Sequence, residues 1–288
     1  MSAHANNSTH SGKDWSSAEW VTAGIDVGSV STNAVIMGDD ELLSYSNIVS
    51  GGNSVESSWK AIHVAMDEIG MSLEDLRYVV STGYGRVIVP FTDRNMSEVS
   101  CHALGAHWFF PDGGVIIDIG GQDTKIIRYD EKGRLLNFVF SDKCAAGCGR
   151  YLEVIADLLG ICLEDLGDLT DELEKKLPAI SSSCVLFAKS EALGLIREGV
   201  PSSTIMAAYC HSLARIIATQ AERLGVAGDL ILTGGGAKNR LVVRSLEKWF
   251  GVQAKICFDP QIVGALGAAR YAEKHAKKIS REQLKVHG

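Results

Sequence analysis

Two stretches of the chain, "GIDVGSVSTN" and "IDIGGQDTK", end an apolar run on an aspartate that is followed two residues later by glycine. Strand, acid and glycine in that order make chemistry for a phosphate. Glycine lets backbone N–H groups approach phosphate oxygens, and a carboxylate at a strand end can hold a hydrated magnesium ion. Asp26 and Asp118 are the two acids. Asp26/Asp118, Gly28/Gly120 and Thr32/Thr124 recur at one offset, 118 − 26 = 92, which reads as an internal duplication. A third glycine turn, Gly234 to Gly236, follows the apolar run "LILT". Such glycines also serve plain hairpins, but that reading needs three turns to coincide in order. Neither a Walker A sequence nor G-x-G-x-x-G stands in a suitable context, so P-loop and Rossmann readings lose their main support.

Thiols form the second constellation. Cys144 and Cys148 in "DKCAAGCGRYLEVIA" are four apart, a spacing that shares one helix face. Gly147 and Gly149 each cost about 1 kcal/mol in a helix interior, so the helix is predicted to begin near Arg150, with Cys144 in the loop approaching it. The positive end of that helix favours a thiolate or a reduced metal centre. Cys184, in "SSSCVLFAKSEALGLI", repeats the arrangement behind small polar residues that can cap a helix. Two such cysteines are half of what a [4Fe-4S] cubane requires, and a symmetric dimer supplies the other half. Cys148 is an alternative ligand. For Cys101, Cys162, Cys210 and Cys257, set among apolar residues, core burial is expected. His102 is expected to be a hydrogen-bonded packing residue, and His4 and His10 follow no zinc spacing.

The elements that must position these residues read as two similar lobes. "VTAGIDVG", "NAVIM" and "ELLSYSNIV" form a β-meander, followed by a helix over Asn53 to Ile69, a strand "RYVVSTG" and a helix "SEVSCHALGAHWF". From Gly114 the pattern restarts with "GVIIDIGGQDTKIIRYD" and "RLLNFVFSD". Long helices follow over Ser182 to Glu198 and Ser202 to Leu224. After these come the strand "DLILT", a helix "RLVVRSLEKWF" and a closing small-residue helix suited to packing across lobes. The turn "PDGG" marks the boundary. The expected organisation is a disordered tail over 1–19, lobe I over 20–111 plus about 262–280, and lobe II over 112–261.

Composition narrows the function classes. With 288 residues, 46% hydrophobic and 22% charged, the chain is an ordinary globular protein of one or two cores. Its net charge of −7 argues against nucleic acid as a partner. No apolar run is long enough for a membrane helix, and the N-terminal residues lack a signal-peptide core, so a cytoplasmic protein is expected. The odd count of seven cysteines does not suit a disulfide framework.

"GIDVGS", "VIIDIGGQDTK" and "LILTGGGAKN" together resemble the phosphate and adenosine motifs of the actin, Hsp70 and sugar-kinase superfamily. The resemblance implies an α/β fold of two duplicated ribonuclease H-like lobes with an ATP cleft between them. In it, Asp26 and Asp118 hold Mg2+. Gly28, Ser29, Ser31, Thr32 and Asn33 wrap the phosphates together with Gly120, Gly121 and Gln122. Gly234, Gly235, Gly236, Asn239 and Gln261 line the adenosine, and Gln122 is expected to orient the attacking water.

With "STGYGR", "MSEVSCHALGA", "DKCAAGCGRYLEV" and "SSSCVLFAKSE" added, the chain from about Gly24 to Ala272 resembles the BadF/BadG-type ATPase family. Members of that family activate 2-hydroxyacyl-CoA dehydratases or form ATPase subunits of benzoyl-CoA reductases. The resemblance implies one [4Fe-4S] cluster bridging two subunits through Cys144 and Cys184. It also implies a homodimer or a heterodimer with a paralogous ATPase subunit, a ferredoxin or flavodoxin donor, and acyl-CoA-binding reductase or dehydratase subunits as acceptor. Cys148 stands where dehydratase activators have threonine and Lys189 where they have glutamate, which inclines the expectation toward the benzoyl-CoA reductase branch, with a dehydratase activator as the alternative. A sugar or N-acetylglucosamine-type kinase is the rival of another class.

Overall fold

The computed structural model describes residues 7–10, 14–140, 149–180, 185–225 and 229–287. They form two compact units: residues 1–112, 130–135 and 261–288 in the first, and 113–129 and 136–260 in the second.

The first unit is built on a sheet of six strands: β1 (Asn7–His10), β2 (Val21–Val27), β3 (Ser31–Gly38), β4 (Glu41–Val49), β5 (Tyr78–Thr82) and β6 (Arg94–Asn95), in the order β1-β4-β3-β2-β5-β6. The central strands β2 and β3 are almost entirely buried on both faces, as strands covered on two sides are. Helix α1 (Ser54–Asp67) is capped by Asn53, whose side chain accepts from the N–H groups of Val55 and Glu56, and it covers one face with Ala61, Ile62, Ala65 and Met66. The other face is closed by α2 (Glu98–Phe109) and α7 (Val263–His287), in which Ala265, Leu266 and Ala269 pack on Val35 and Met37. Glycine makes this close approach possible: a Cβ at Gly24 would stand 2.0 Å from the Ala265 carbonyl oxygen, and one at Gly267 1.8 Å from that of Cys101. The small residues of α7 thus pack within their own unit, on β2 and α2. Part of the stretch expected to be disordered is ordered: Asn7–His10 pairs antiparallel with β4, and Trp15 Nε1 donates to the Ile69 carbonyl at 2.8 Å.

The second unit carries β7 (Gly114–Ile119), β8 (Thr124–Tyr129), β9 (Leu135–Phe140) and β10 (Leu230–Thr233) in the order β10-β7-β8-β9. Its helices are α3 (Gly149–Leu159), α4 (Val185–Arg197), α5 (Ser202–Ala221) and α6 (Arg240–Phe250). Val115, Ile117 and Ile119 of β7, Ile155 of α3, Tyr209 and Leu213 of α5 and Leu246 of α6 share its core. A 3-10 segment over Leu163–Glu174, which the sequence did not suggest, adds Leu166 and Leu173.

Candidate functional site

In the first unit, β2 ends at the acid. Asp26 lies opposite Asn33 in the antiparallel register and opposite Thr82 in the parallel one. The Gly28 N–H donates to the Ser31 carbonyl at 3.0 Å, closing a tight turn with Ser29 exposed at its tip. Thr32 is buried, its hydroxyl 2.8 Å from that of Ser50, which donates to the Gly28 carbonyl at 2.9 Å. Backbone crowds the carboxylate: a Cβ at Gly83 would stand 2.5 Å from Asp26 Oδ1, and one at Gly264 2.3 Å from Oδ2 and 3.1 Å from His102 Nε2. His102 is buried, as a packing residue should be, but it lies beside the acid.

The second unit repeats this geometry. Asp118 lies opposite Lys125 and, in parallel register, opposite Thr233. The Gly120 N–H donates to the Asp123 carbonyl at 3.0 Å, as Gly28 does to Ser31. Gly234, with φ +79°, presses on Asp118 as Gly83, with φ +88°, presses on Asp26: its Cβ would stand 2.7 Å from Asp118 Oδ1 and 2.5 Å from the Ile119 carbonyl. The duplication therefore extends past the acids to a T-G-x-G turn, Thr82 to Gly85 in one unit and Thr233 to Gly236 in the other. The first of these turns was missed as a site element, although its repetition in the sequence was a usable signal.

Asp118 is nearly enclosed. Lys125 Nζ is 3.5 Å from Oδ2 and 2.8 Å from Asp123 Oδ1, and the Thr233 hydroxyl donates to Oδ1 at 3.0 Å. Gln122 is exposed at the turn's tip. Around the third glycine turn, the Gly234 N–H donates to the Pro260 carbonyl at 2.8 Å, Gly235 is exposed and Gly236 is buried against Ile119. The Asn239 side-chain oxygen caps α6, accepting from Leu241 and Val242 at 3.1 and 3.2 Å, which leaves its amide NH2 for other partners. Gln261 belongs to the first unit, half-buried just before α7.

Cys144, Cys148 and Cys184 lie outside the described residues. The segment directly after Cys148 does not. The N–H groups of Gly149 and Arg150, which open α3, donate to the carbonyls of Gly120 and Gly121 at 2.8 and 2.9 Å. In the first turn of a helix these donors have no intrahelical partner, and here the phosphate-type turn supplies one. Among the other cysteines, Cys101 and Cys210 are buried; burial pushes the Cys101 thiol up to about 12 and raises that of Cys210 as well. Cys257 is half-buried, its thiol likewise raised by burial to about 12, whereas Cys162 is exposed at the head of the 3-10 segment rather than in the core.

The donor set fits magnesium. It offers hard oxygen atoms, the kind magnesium takes, and the side-chain oxygen of Asn33, a residue only 4% exposed, is buried with no hydrogen-bond partner among the described residues. A buried acceptor left in that state is costly unless a ligand completes it.

Residues 23–272 match the BadF/BadG/BcrA/BcrD ATPase family, and the chain belongs to that family. It is 40% identical to the activator of lactoyl-CoA dehydratase of Anaerotignum propionicum, across 89% of this chain and 99% of that one. It is 36% identical to the 2-hydroxyisocaproyl-CoA dehydratase activator of Clostridioides difficile, across 91% and 98%. The crystal structure of component A of the Acidaminococcus fermentans (R)-2-hydroxyglutaryl-CoA dehydratase superposes with a TM-score of 0.85 at 38% identity, covering 90% of this chain and all of that one. The Clostridium difficile activator with bound ADPNP gives 0.85 at 36%, covering 91% and 97%. A ROK family glucokinase from Streptomyces griseus, at 15% identity and TM-score 0.55 over 88% and 99%, shares the fold alone. The fold is thus the α/β architecture of duplicated lobes found in actin and sugar kinases.

The inclination toward the benzoyl-CoA reductase branch is corrected. Identity to a benzoyl-CoA reductase component of Thauera aromatica is 27%, over 91% of this chain and 96% of that one, below that of the dehydratase activators. Lys189, one of the two residues that suggested that branch, is exposed on α4, where a change from glutamate to lysine demands no change in packing.

Proposed function

We propose that the protein is a cytoplasmic, ATP-hydrolysing activator that passes a low-potential electron to a 2-hydroxyacyl-CoA dehydratase. One observation carries the reading: the residues that follow the cysteine motif are hydrogen-bonded to the glycine turn that would meet a phosphate, Gly149 to Gly120 and Arg150 to Gly121. A nucleotide that shifts the turn by a fraction of an ångström must shift the head of α3 with it, or break two backbone hydrogen bonds of about 1 kcal/mol each. Phosphate chemistry at the turn is thereby linked to the residues that follow the cysteine motif in the sequence.

In this account Asp26 seats the Mg2+ that accompanies ATP, and Asp118 stands at the head of the second phosphate turn. The backbone of Gly28 to Asn33 and of Gly120 to Gln122 holds the phosphates, Gly234 to Gly236 with Asn239 and Gln261 receives the adenosine, and Gln122 orients the water that yields ADP and phosphate. Cys144 and Cys184 from two subunits hold a [4Fe-4S] cluster, which supplies one-electron chemistry. A ferredoxin or flavodoxin donates the electron and the dehydratase receives it. Exposed apolar side chains flank both cysteine motifs in sequence, Leu136, Phe138 and Phe140 on β9 before Cys144 and Leu186 and Phe187 on α4 after Cys184, in keeping with coverage by a second subunit.

The test is iron and acid-labile sulfide after strictly anaerobic purification, with absorbance recorded before and after air exposure. About four irons per dimer and an air-sensitive brown colour are expected. A colourless protein that hydrolyses ATP only with an added sugar, after attempted cluster reconstitution, would overturn the reading in favour of a kinase.

A further inference from the structure

The two duplicated acids are not equivalent, and the difference lies in the residue directly across the strand from each. Asp26 faces Asn33; Asp118 faces Lys125. Residues directly opposite in an antiparallel pair project to the same face, so each partner stands beside its acid. In the second unit the consequence is visible in the geometry. Lys125 Nζ lies 3.5 Å from Asp118 Oδ2, with the two side chains 7% and 5% exposed, and 2.8 Å from Oδ1 of Asp123, whose side chain is 40% exposed, while Thr233 occupies Oδ1 of Asp118. Asp118 is the more enclosed of the two carboxylates, so the ammonium offsets its charge in low dielectric and repels a second cation approaching the same oxygens. In the first unit the cross-strand residue brings no charge, but instead a buried amide oxygen with no hydrogen-bond partner among the described residues.

Resting on the ATPase reading, we propose that Lys125 is a positioning residue that serves as the built-in cation of Asp118, so that one divalent ion accompanies the nucleotide and is seated at Asp26 and Asn33 Oδ1. The duplication then yields two roles from one turn. One acid, paired with a neutral oxygen donor, takes the metal, and the other, clamped by Lys125 and Thr233, is a fixed, charge-compensated acceptor beside the Gly120–Gln122 turn.

The experiment counts Mn2+ retained per chain, by equilibrium dialysis with saturating ADPNP, for the full-length wild-type protein and for Lys125→Met and Asn33→Ala. Wild type is expected to retain one Mn2+ and Lys125→Met two, because removing the ammonium opens Asp118 to metal. Asn33→Ala is expected to weaken Mn2+ binding by about 10- to 100-fold. Retention of a single Mn2+ by Lys125→Met, at wild-type affinity, overturns the proposal. Should Lys125→Met not fold, Asn33→Ala decides alone: unaltered Mn2+ affinity refutes the seat at Asn33. A wild-type protein that binds no ADPNP at all would instead sink the ATPase reading, so the two failures are distinguishable.

Discussion

Replacing Arg150 by proline isolates the link between the Gly120–Gly121 turn and the head of α3. The Arg150 N–H donates to the Gly121 carbonyl at 2.9 Å and belongs to the first turn of α3. Proline is tolerated in that turn because its missing N–H has no intrahelical role, so the substitution deletes one tether and spares the helix. A backbone hydrogen bond contributes about 1 kcal/mol net, which corresponds to about a fivefold change in the linking equilibrium. Proline also removes the side chain, whose ion pair with Glu153 at 3.3 Å is exposed on both partners and worth about 0–1 kcal/mol. Arg150→Ala removes the same side chain and keeps the N–H, and so serves as the control. The assay is hydrogen–deuterium exchange of α3 with and without ADPNP. Wild type and Arg150→Ala should show the same nucleotide-dependent protection, and Arg150→Pro about a fivefold smaller gain. Full protection in the proline variant, or an equal loss in the alanine control, would refute the reasoning.

Gly234→Ala should unfold at lower temperature and lose ATP binding, because φ +79° and a Cβ 2.5 Å from the Ile119 carbonyl add strain of about 1–3 kcal/mol to a backbone clash. Gly70→Ala, at φ +66° with nothing within 4 Å, should cost only about 1 kcal/mol in the same thermal melts. The Asp130 carboxyl is held down at about 2, first by its hydrogen bond from the Arg134 side chain, against an ordinary 3.8. Its contribution to stability is therefore present above the ordinary value and lost as pH falls toward 2, so the urea midpoints of wild type and Asp130→Asn should differ at pH 5 and converge toward pH 2. Cys144→Ser and Cys184→Ser should each abolish bound iron and preserve nucleotide binding, and Cys148→Ser should do less; iron analysis decides. Gln122→Ala should bind ATP normally and hydrolyse it at least about tenfold more slowly, as phosphate release will show.

Much of the site was legible because its residues obey local rules. An acid at a strand end followed by glycine specifies a turn wherever it occurs, and the fixed offset of Asp26 and Asp118 revealed the duplication before any contact was known. The apolar spacing likewise predicted a helix over Asn53 to Ile69, and α1 runs over Ser54–Asp67. What escaped depends on pairing between distant segments. The clamp of Lys125 and Thr233 on Asp118 requires the β7–β8 and β10–β7 registers together. The tether of Arg150 to Gly121 joins a helix head to a turn through backbone atoms, which leave no mark on side-chain type. The direction of α7 was missed for a related reason: small residues announce close packing but do not say on what, and here the answer is β2 and α2. The choice of acyl-CoA branch rested on two residues, one of them exposed, too few to outweigh similarity along the whole chain.

The most direct test of the central claim is electron delivery. The anaerobically purified protein, reduced by a ferredoxin or dithionite, would be mixed with a 2-hydroxyacyl-CoA dehydratase and its substrate, and enoyl-CoA formation followed with ATP, with ADPNP and with no nucleotide. The account predicts dehydration that requires ATP hydrolysis and is lost in Cys144→Ser. Dehydration at the same rate without nucleotide, or none with ATP while a benzoyl-CoA reductase core accepts the electron, would contradict it.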